Sequence, residues 1–323
     1  MTLDIQYLVW LQDLRAALGD NLNEIFNGIS KFAVVIMPLL PFLIYWAVDK
    51  KWGYRFLATI WCGEVINGIV KLSVCAYRPW IRSDAVNPAG DSKVAATGYS
   101  FPSGHTMCAT ATYGTVFVWQ RKKTRWLAVL CAVMILLTMF SRNFLGVHTP
   151  QDVVVGFLET ALIIFLMGKL FAWMDGNDTR INIMLATGLL LIAATLVYIQ
   201  VKSYPMDYVD GKLLVDPQAM MNDTFKGCGC LLGLIIGCFI ERRWIHYEIP
   251  QGHPALPVLA AAGLGIIFAW DQYFAGATII PLLGAHWGRF VAYALELIFA
   301  VAAYPAFIKR IVRPKETTET VAA

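Results

Sequence analysis

Apolar runs of about 20 residues recur along this chain, and each is long enough to cross a bilayer as a helix. Hydrophobic residues make up 58% of the sequence and charged residues 15%, whereas soluble domains carry about 25% charged residues. The pattern predicts an all-α fold, a polytopic transmembrane helical bundle with about nine spans. The predicted spans are residues 30–48, 56–77, 103–119, 126–142, 150–173, 182–201, 226–241, 255–274 and 288–308.

The segment before the first span differs from the spans in composition. Residues 1–28 mix acidic residues with apolar ones that recur every three or four positions, such as Ile5, Leu8 and Leu11. This spacing is typical of a helix with one apolar face. We predict an amphipathic helix over residues 1–28 that lies along the membrane surface.

The cysteines and the net charge argue against several classes of function. The cysteines lie mostly within apolar runs, where thiols behave as small hydrophobes. Cys228 and Cys230 are too close together to form a C-x-x-C pair. The net charge of +4 is too small to indicate nucleic-acid binding. We expect no metal, no cofactor and no nucleic-acid partner, and the sequence leaves the oligomeric state open.

The Lys and Arg residues concentrate in every second predicted loop, and cytoplasmic loops retain positive charge. The basic loops hold Lys50, Lys51 and Arg55; Arg121, Lys122, Lys123 and Arg125; Lys169 and Arg180; Arg242 and Arg243; and Lys309, Arg310, Arg313 and Lys315. The distribution predicts an amino terminus outside the cytoplasm and a carboxyl terminus inside it.

Two short motifs place polar residues at the end of the second span and the start of the third. Lys71 and Arg78 are seven positions apart, which puts both cations on one face of a helix. Ser103 is suited to cap the third span, and Gly104 allows a ligand close to the backbone. The free N–H groups of a helix start favour an anion, and His105 in that first turn can donate a proton.

A third motif links the fourth span to the fifth. His148 and Asp152 are four positions apart, so a helical turn lets the carboxylate orient the imidazole and leave one ring nitrogen free as a nucleophile. Arg142 supplies a planar fork of donors that suits phosphate oxygens. In the predicted topology all three motifs lie on the same, outer side. Such a cluster of cations and histidines is suited to neutralise a phosphate group and its transition state.

Together these motifs resemble the three-part signature of the type 2 phosphatidic acid phosphatase superfamily, Lys-x6-Arg-Pro, Pro-Ser-Gly-His and Ser-Arg-x5-His-x3-Asp. The resemblance covers about residues 30–173. The matching residues are Lys71, Arg78 and Pro79; Pro102, Ser103, Gly104 and His105; and Ser141, Arg142, His148 and Asp152.

The resemblance implies a role for each of these residues. His148 would attack phosphorus, Asp152 would orient it, and His105 would protonate the leaving group and later activate water. The phosphate oxygens would be held by Lys71, Arg78, Ser103, Gly104 and Arg142. The implied reaction needs no metal.

The resemblance also implies a six-helix phosphatase core followed by C-terminal helices. Residues 29–180 would form spans 1–5 of the catalytic core, and residues 181–323 would form spans 6–9 and a short basic tail. We expect an integral protein of a bacterial inner membrane, with the amino terminus and the active site extracytoplasmic and the carboxyl terminus cytoplasmic. The expected substrate is a phosphorylated lipid, such as a polyprenyl diphosphate or phosphatidate.

Two other functions fit the same residues. The substrate could be a soluble sugar phosphate, since the span count also resembles that of glucose-6-phosphatase. Alternatively, the protein could bind or transport a phospholipid without cleaving it. Glu64 and Asn67 lie within the second span, where polar side chains are costly, so we predict a structural role for them or a link to the site. The segment 202–225 faces the site's side and is a candidate lid.

Overall fold

The computed structural model describes residues 1–19, 21–96 and 98–312. Most of the predicted short basic tail therefore lies outside the described residues. Ten long helices carry the described fold: α1 (Leu3–Leu18), α2 (Asn21–Val35), α3 (Lys50–Val74), α4 (Gly104–Gln120), α5 (Arg125–Phe144), α6 (Pro150–Met174), α7 (Asp178–Val201), α8 (Pro217–Ile240), α9 (Leu256–Ala269) and α10 (Ala285–Ile298).

Shorter helical segments extend or connect these helices. They are Met37–Leu39, Leu40–Leu43, Ile44–Val48, Pro79–Arg82, Ser92–Ala95, Glu241–Ile245, Trp270–Ile279, Ile280–Leu283, Phe299–Ala303 and Tyr304–Ile311. Between α7 and α8, β1 (Tyr208–Val209) and β2 (Lys212–Leu213) form a small antiparallel hairpin. The all-α class is confirmed.

Eight helical stretches in the described residues are long and apolar enough to cross a membrane, so this is an integral membrane protein. They are Asn21–Val48, Lys50–Arg82, Arg125–Phe144, Pro150–Met174, Asp178–Val201, Pro217–Ile245, Leu256–Leu283 and Ala285–Ile311. The remaining predicted span, residues 103–119, coincides with α4, which has 17 residues and packs against α3, α5 and α6.

The amino-terminal segment differs from the prediction in its helix boundaries. Gly19, with φ of 85°, ends α1, and α2 begins at Asn21 and continues into the first span. One face of α1 is buried against Val86 and Phe144. Arg15 donates from its guanidinium to the carbonyl of Phe144 at 2.7 Å. Thus α1 packs on the connections around the end of α5, and its position on a membrane surface stays a prediction.

Helix α3 joins the two halves of the bundle because it contacts both α4 and α6 on one side and α8 on another. Helix α8 in turn packs along α10. In α8 the most apolar window is 56% buried within the protein, against 22% for the corresponding windows of α6 and α7. Helix α8 is therefore an interior helix, whereas α6 and α7 present most of their surface outward.

The start of α8 lies nine residues before the predicted start at residue 226. The carboxylate of Asp216 caps the helix by accepting from the backbone N–H of Gln218 at 2.9 Å, and Pro217 occupies the first turn. Residues 217–225, which were predicted as part of a loop, are therefore helical. This additional length brings the start of α8 to the candidate site.

Candidate active site

A cavity of about 160 Å³ lies between α3, the start of α4 and α8. Five of the eight predicted site residues line it, and Ser103, Arg142 and Asp152 lie behind its wall. The lining residues are Glu64, Asn67, Gly68, Lys71, Leu72, Arg78, Gly104, His105, His148, Met220, Asp223 and Thr224. Each of the three sequence motifs thus contributes at least one residue to the lining of this cavity.

The carboxylate of Asp152 is held by donors from three directions. Its Oδ2 atom lies 3.3 Å from Nδ1 of His148 and accepts the backbone N–H of Thr149 at 2.8 Å. The hydroxyl of Ser100 donates to the same oxygen. Thr149 also caps α6, because its hydroxyl accepts the N–H of Asp152 at 3.4 Å. The start of α6 therefore fixes the carboxylate beside the imidazole.

The protonation state of His148 follows from its other neighbour. Nη1 of Arg78 lies 2.9 Å from Nε2 of His148 and 2.9 Å from the carbonyl of Val147. A guanidinium can only donate, so Nε2 must be the acceptor and the proton of the neutral ring must lie on Nδ1, toward Asp152. Burial and the charge of Arg78 lower the pKa of His148 well below its ordinary value, although Asp152 acts in the opposite direction. The imidazole is therefore neutral, with its Nε2 lone pair directed at Arg78.

The first turn of α4 forms a second wall of the cavity. Ser103 caps this helix by accepting the N–H of Thr106 at 3.3 Å, and its own N–H donates to the carbonyl of Asp152 at 3.0 Å. The close approach of α6 requires Gly156, where a Cβ would lie 2.9 Å from the carbonyl oxygen of Ser103. His105 lines the cavity beside this first turn. The free backbone donors and the imidazole thus meet at one place.

Lys71 and Arg142 occupy different positions relative to the cavity. The ammonium of Lys71 is 4.0 Å from the place where a Cβ on Gly104 would lie, so it faces the start of α4. Arg142 is 2% exposed, and its Nη1 donates to the hydroxyl of Ser30 in α2 at 3.0 Å. Its Nε atom is buried without a partner among the described residues. Arg142 therefore lies within the protein behind the site and does not line the cavity.

Sequence reasoning missed Ser100 and the residues of α8. Ser100 stands beside the Pro-Ser-Gly-His motif, but nothing in the sequence indicates that its side chain reaches Asp152. Met220, Asp223 and Thr224 line the cavity from the start of α8. The pair Asp216 and Pro217 was the available signal for this helix start.

The sequence predicts that the protein binds no metal ion, and the positions of the potential metal ligands bear on this prediction. Across residues 1–19, 21–96 and 98–312, no three His, Cys, Asp or Glu side chains are grouped so that they could hold a metal ion. The acidic residues at the cavity are Glu64 and Asp223.

Comparison with known proteins identifies the part of the chain that carries this site. A family model of the PAP2 superfamily matches residues 52–175. These residues form a PAP2 superfamily domain. The match confirms the resemblance to type 2 phosphatidic acid phosphatases and includes every predicted site residue from Lys71 to Asp152. Helix α8 lies outside the PAP2 domain.

Curated relatives of the chain are lipid phosphatases by name. An undecaprenyl-diphosphatase of Sulfolobus acidocaldarius is 28% identical over 147 residues, which is 45% of this chain and 68% of the relative. A lipid A 4'-phosphatase of Bacteroides thetaiotaomicron is 24% identical, over 62% of this chain and 97% of the relative. A mouse sphingosine-1-phosphate phosphatase 2 is 25% identical, over 70% and 60%. No solved structure matches the chain significantly.

Proposed function

We propose that this integral membrane phosphatase hydrolyses a phosphate monoester or diphosphate of a lipid through a phospho-histidine intermediate. The observation that carries the proposal is the oriented pair of His148 and Asp152 at a cavity that Arg78 and Lys71 also line. An imidazole with its proton fixed on Nδ1 presents a lone pair on Nε2, which is what a nucleophile requires. A protein that only bound phospholipid would have no need of this arrangement.

In the first step, Nε2 of His148 attacks phosphorus and the bond from phosphorus to the lipid oxygen breaks. The guanidinium of Arg78 leaves the ring nitrogen for a phosphate oxygen, because a charged acceptor forms the stronger hydrogen bond. Lys71 and the backbone N–H groups at Gly104 stabilise the developing negative charge. His105 gives its proton to the leaving oxygen. Asp152 balances the positive charge that the attacking imidazole acquires.

In the second step, water attacks the phospho-histidine and releases inorganic phosphate. His105 has lost its proton in the first step, so it can now accept one from the attacking water. Arg142 supports the phosphate site from behind by adding a second guanidinium charge. Ser103 fixes the start of α4, whose N–H groups point to the phosphate.

The proposed location is a bacterial inner membrane, with the site and amino terminus extracytoplasmic. The support is the concentration of Lys and Arg in the loops on the other side, such as Lys50, Lys51, Arg242 and Arg243. A lipid substrate would then leave its apolar tail in the bilayer and place its phosphate in the cavity.

The direct test is release of phosphate by the purified protein in detergent with excess chelator. The substrates would be undecaprenyl diphosphate, phosphatidate, sphingosine 1-phosphate and glucose 6-phosphate. We expect chelator-resistant release from a lipid that falls by at least about a thousandfold in His148→Ala, since loss of a nucleophile costs several orders of magnitude. His253→Ala is the matched control, because His253 is exposed in the loop before α9.

A rapid acid-free quench with labelled substrate should also trap phosphate on the wild-type protein and not on His148→Ala. Release from glucose 6-phosphate alone would favour the sugar phosphatase. Folded protein that binds lipid but releases no phosphate would favour transport. Full activity in His148→Ala would refute the proposed nucleophile.

A further inference from the structure

One wall of the cavity comes from α8, outside the PAP2 domain, and it differs in charge from the rest. Asp223 and Thr224 of α8 line the cavity together with Glu64 of α3. The opposite groups, Lys71 and Arg78, are cations. Carboxylates and a bound phosphate repel each other, so these two residues do not themselves hold the phosphate.

Close helix packing fixes this wall. A Cβ on Gly68 would lie 2.4 Å from the hydroxyl oxygen of Thr224, and a Cβ on Gly227 would lie 3.0 Å from Cγ of Glu64. The two glycines thus allow α3 and α8 to approach until these side chains lie between them. Because α3 and α8 are both long helices, the wall is rigid and its polar groups are held in place.

The polar groups of this wall differ in burial and in their partners. The hydroxyl of Thr224 is buried and has no hydrogen-bond partner in the described part of the chain. Glu64 is half-buried and Asp223 is exposed, and both carboxylates interact electrostatically with Lys71. The cation on the same helix, Lys226, lies 4.4 Å from the ring centroid of Tyr293 and also interacts with the charge of Glu64. Buried polar groups are normally hydrogen-bonded, so the unpaired hydroxyl of Thr224 beside the cavity indicates a ligand that supplies its missing partner. The two carboxylates beside it favour a ligand group that is a cation or a hydrogen-bond donor.

The positions of these side chains along their helices decide which of them a donor group on the ligand can reach. Glu64 precedes Lys71 by two helical turns, about 10 Å along the axis. Asp223 and Thr224, at the start of α8, line the same cavity as Lys71 and Arg78. A donor within a few bonds of the phosphate ester can therefore reach Asp223 and Thr224 while the phosphate contacts Arg78.

We propose that the wall formed by Glu64, Asp223 and Thr224 is a specificity subsite for an ammonium or hydroxyl group that lies next to the phosphate of the lipid. The proposal rests on the lipid phosphatase function proposed above and extends it to the substrate's head. A phosphorylated amino alcohol suits the wall best, because its ammonium pairs with a carboxylate while its phosphate pairs with the cations. A polyprenyl diphosphate has no such donor.

The test compares three single-chain phosphate monoesters in the same detergent. Sphingosine 1-phosphate has an ammonium and a hydroxyl group, lysophosphatidate has a hydroxyl group only, and hexadecyl phosphate has neither. We expect kcat/KM to fall in that order, with a total ratio of about tenfold or more, the effect of one charge-assisted hydrogen bond. In Asp223→Asn this ratio should fall by about tenfold, and in Thr224→Val by a smaller factor.

The matched control is Asp210→Asn, which removes the same charge from the exposed hairpin before α8. Asp210 has a φ of 49°, a conformation that Asn also accepts. We expect its lipid preference to equal that of the wild-type protein. Equal kcat/KM for the three lipids in the wild-type protein would overturn the proposal, as would an unchanged preference in both Asp223→Asn and Thr224→Val.

A binding measurement separates this proposal from the reaction itself. His148→Ala protein should bind sphingosine 1-phosphate about tenfold more tightly than hexadecyl phosphate, measured by thermal shift, and Asp223→Asn should reduce that difference. Such binding without any hydrolysis by the wild-type protein would leave the subsite standing and refute the proposed phosphatase mechanism. Hydrolysis by the wild-type protein with equal binding of both lipids would refute the subsite and leave the proposed phosphatase mechanism standing.

Discussion

The substitution Gly156→Ala tests whether the contact between α6 and α4 holds the site together. Gly156 follows Asp152 by one helical turn, and a Cβ there would lie 2.9 Å from the carbonyl oxygen and 3.4 Å from the nitrogen of Ser103. Both are backbone atoms, so rotation of a side chain cannot relieve the contact. Since non-bonded atoms pack comfortably at about 3.5 Å, α6 must move away by about half an ångström.

We expect this movement to affect stability and activity together. Overpacking of this kind costs about 1–3 kcal/mol, so the midpoint of thermal unfolding in detergent should fall by a few degrees. The same movement displaces Asp152 and His148 from the start of α4. Because a misplacement of about 1 Å can cost a hundredfold, kcat/KM for a lipid phosphate should fall by roughly tenfold or more.

Gly168→Ala is the matched control for this substitution. It changes the same residue type in the same helix, and no atom lies within 4 Å of the added Cβ. Alanine is also the better helix former by about 0.5–1 kcal/mol, so Gly168→Ala should melt at the same temperature as the wild-type protein or higher. A Gly156→Ala protein with the melting temperature and activity of Gly168→Ala would refute the packing argument.

Two further predictions concern the same catalytic group. Ser100→Ala removes one donor to the carboxylate of Asp152. We expect kcat to fall by about tenfold with little change in KM, because the lost hydrogen bond positions a side chain that does not bind substrate. An unchanged kcat would contradict this. Burial and the charge of Arg78 hold the pKa of His148 in the folded protein below its ordinary value of 6.5. The unfolded chain therefore binds more protons than the folded protein when the pH falls below 6.5, and stability should fall with the pH there. Melting temperatures measured from about pH 7 down to about pH 4 should fall more steeply for the wild-type protein than for His148→Gln, and equal slopes would show that His148 titrates normally.

The part of the site formed by the three motifs could be predicted from the sequence, because the spacing of the residues along the chain determines which side chains lie close together. A separation of four positions brings His148 and Asp152 together at the start of α6, at 3.3 Å. The alternation of spans then places the ends of α3 and α5 and the start of α4 on one side. Neither step needs any knowledge of how the helices pack.

The cavity wall from α8 and the role of Ser100 could not be predicted, because both depend on packing between distant parts of the chain. Asp223 lowers the hydropathy just before the predicted span start at residue 226, and residues 202–225 were predicted as a loop. Its contact with α3 depends on Gly68 meeting Thr224, a pairing that no local pattern indicates. The side chain of Ser100 likewise reaches Asp152 only because α6 and the segment before α4 converge.

In the proposed mechanism, the contact between Arg78 and His148 also protects the protein between turnovers. A ring nitrogen whose lone pair already accepts from a guanidinium 2.9 Å away is a poor target for acylating or alkylating compounds in the surroundings. An incoming phosphate offers Arg78 a charged acceptor and so uncovers the nitrogen at the moment when it is needed. Arg78 therefore covers the ring nitrogen of His148 until an anion displaces its guanidinium. Covalent inhibitors of this protein would need an anionic group of their own to reach the histidine.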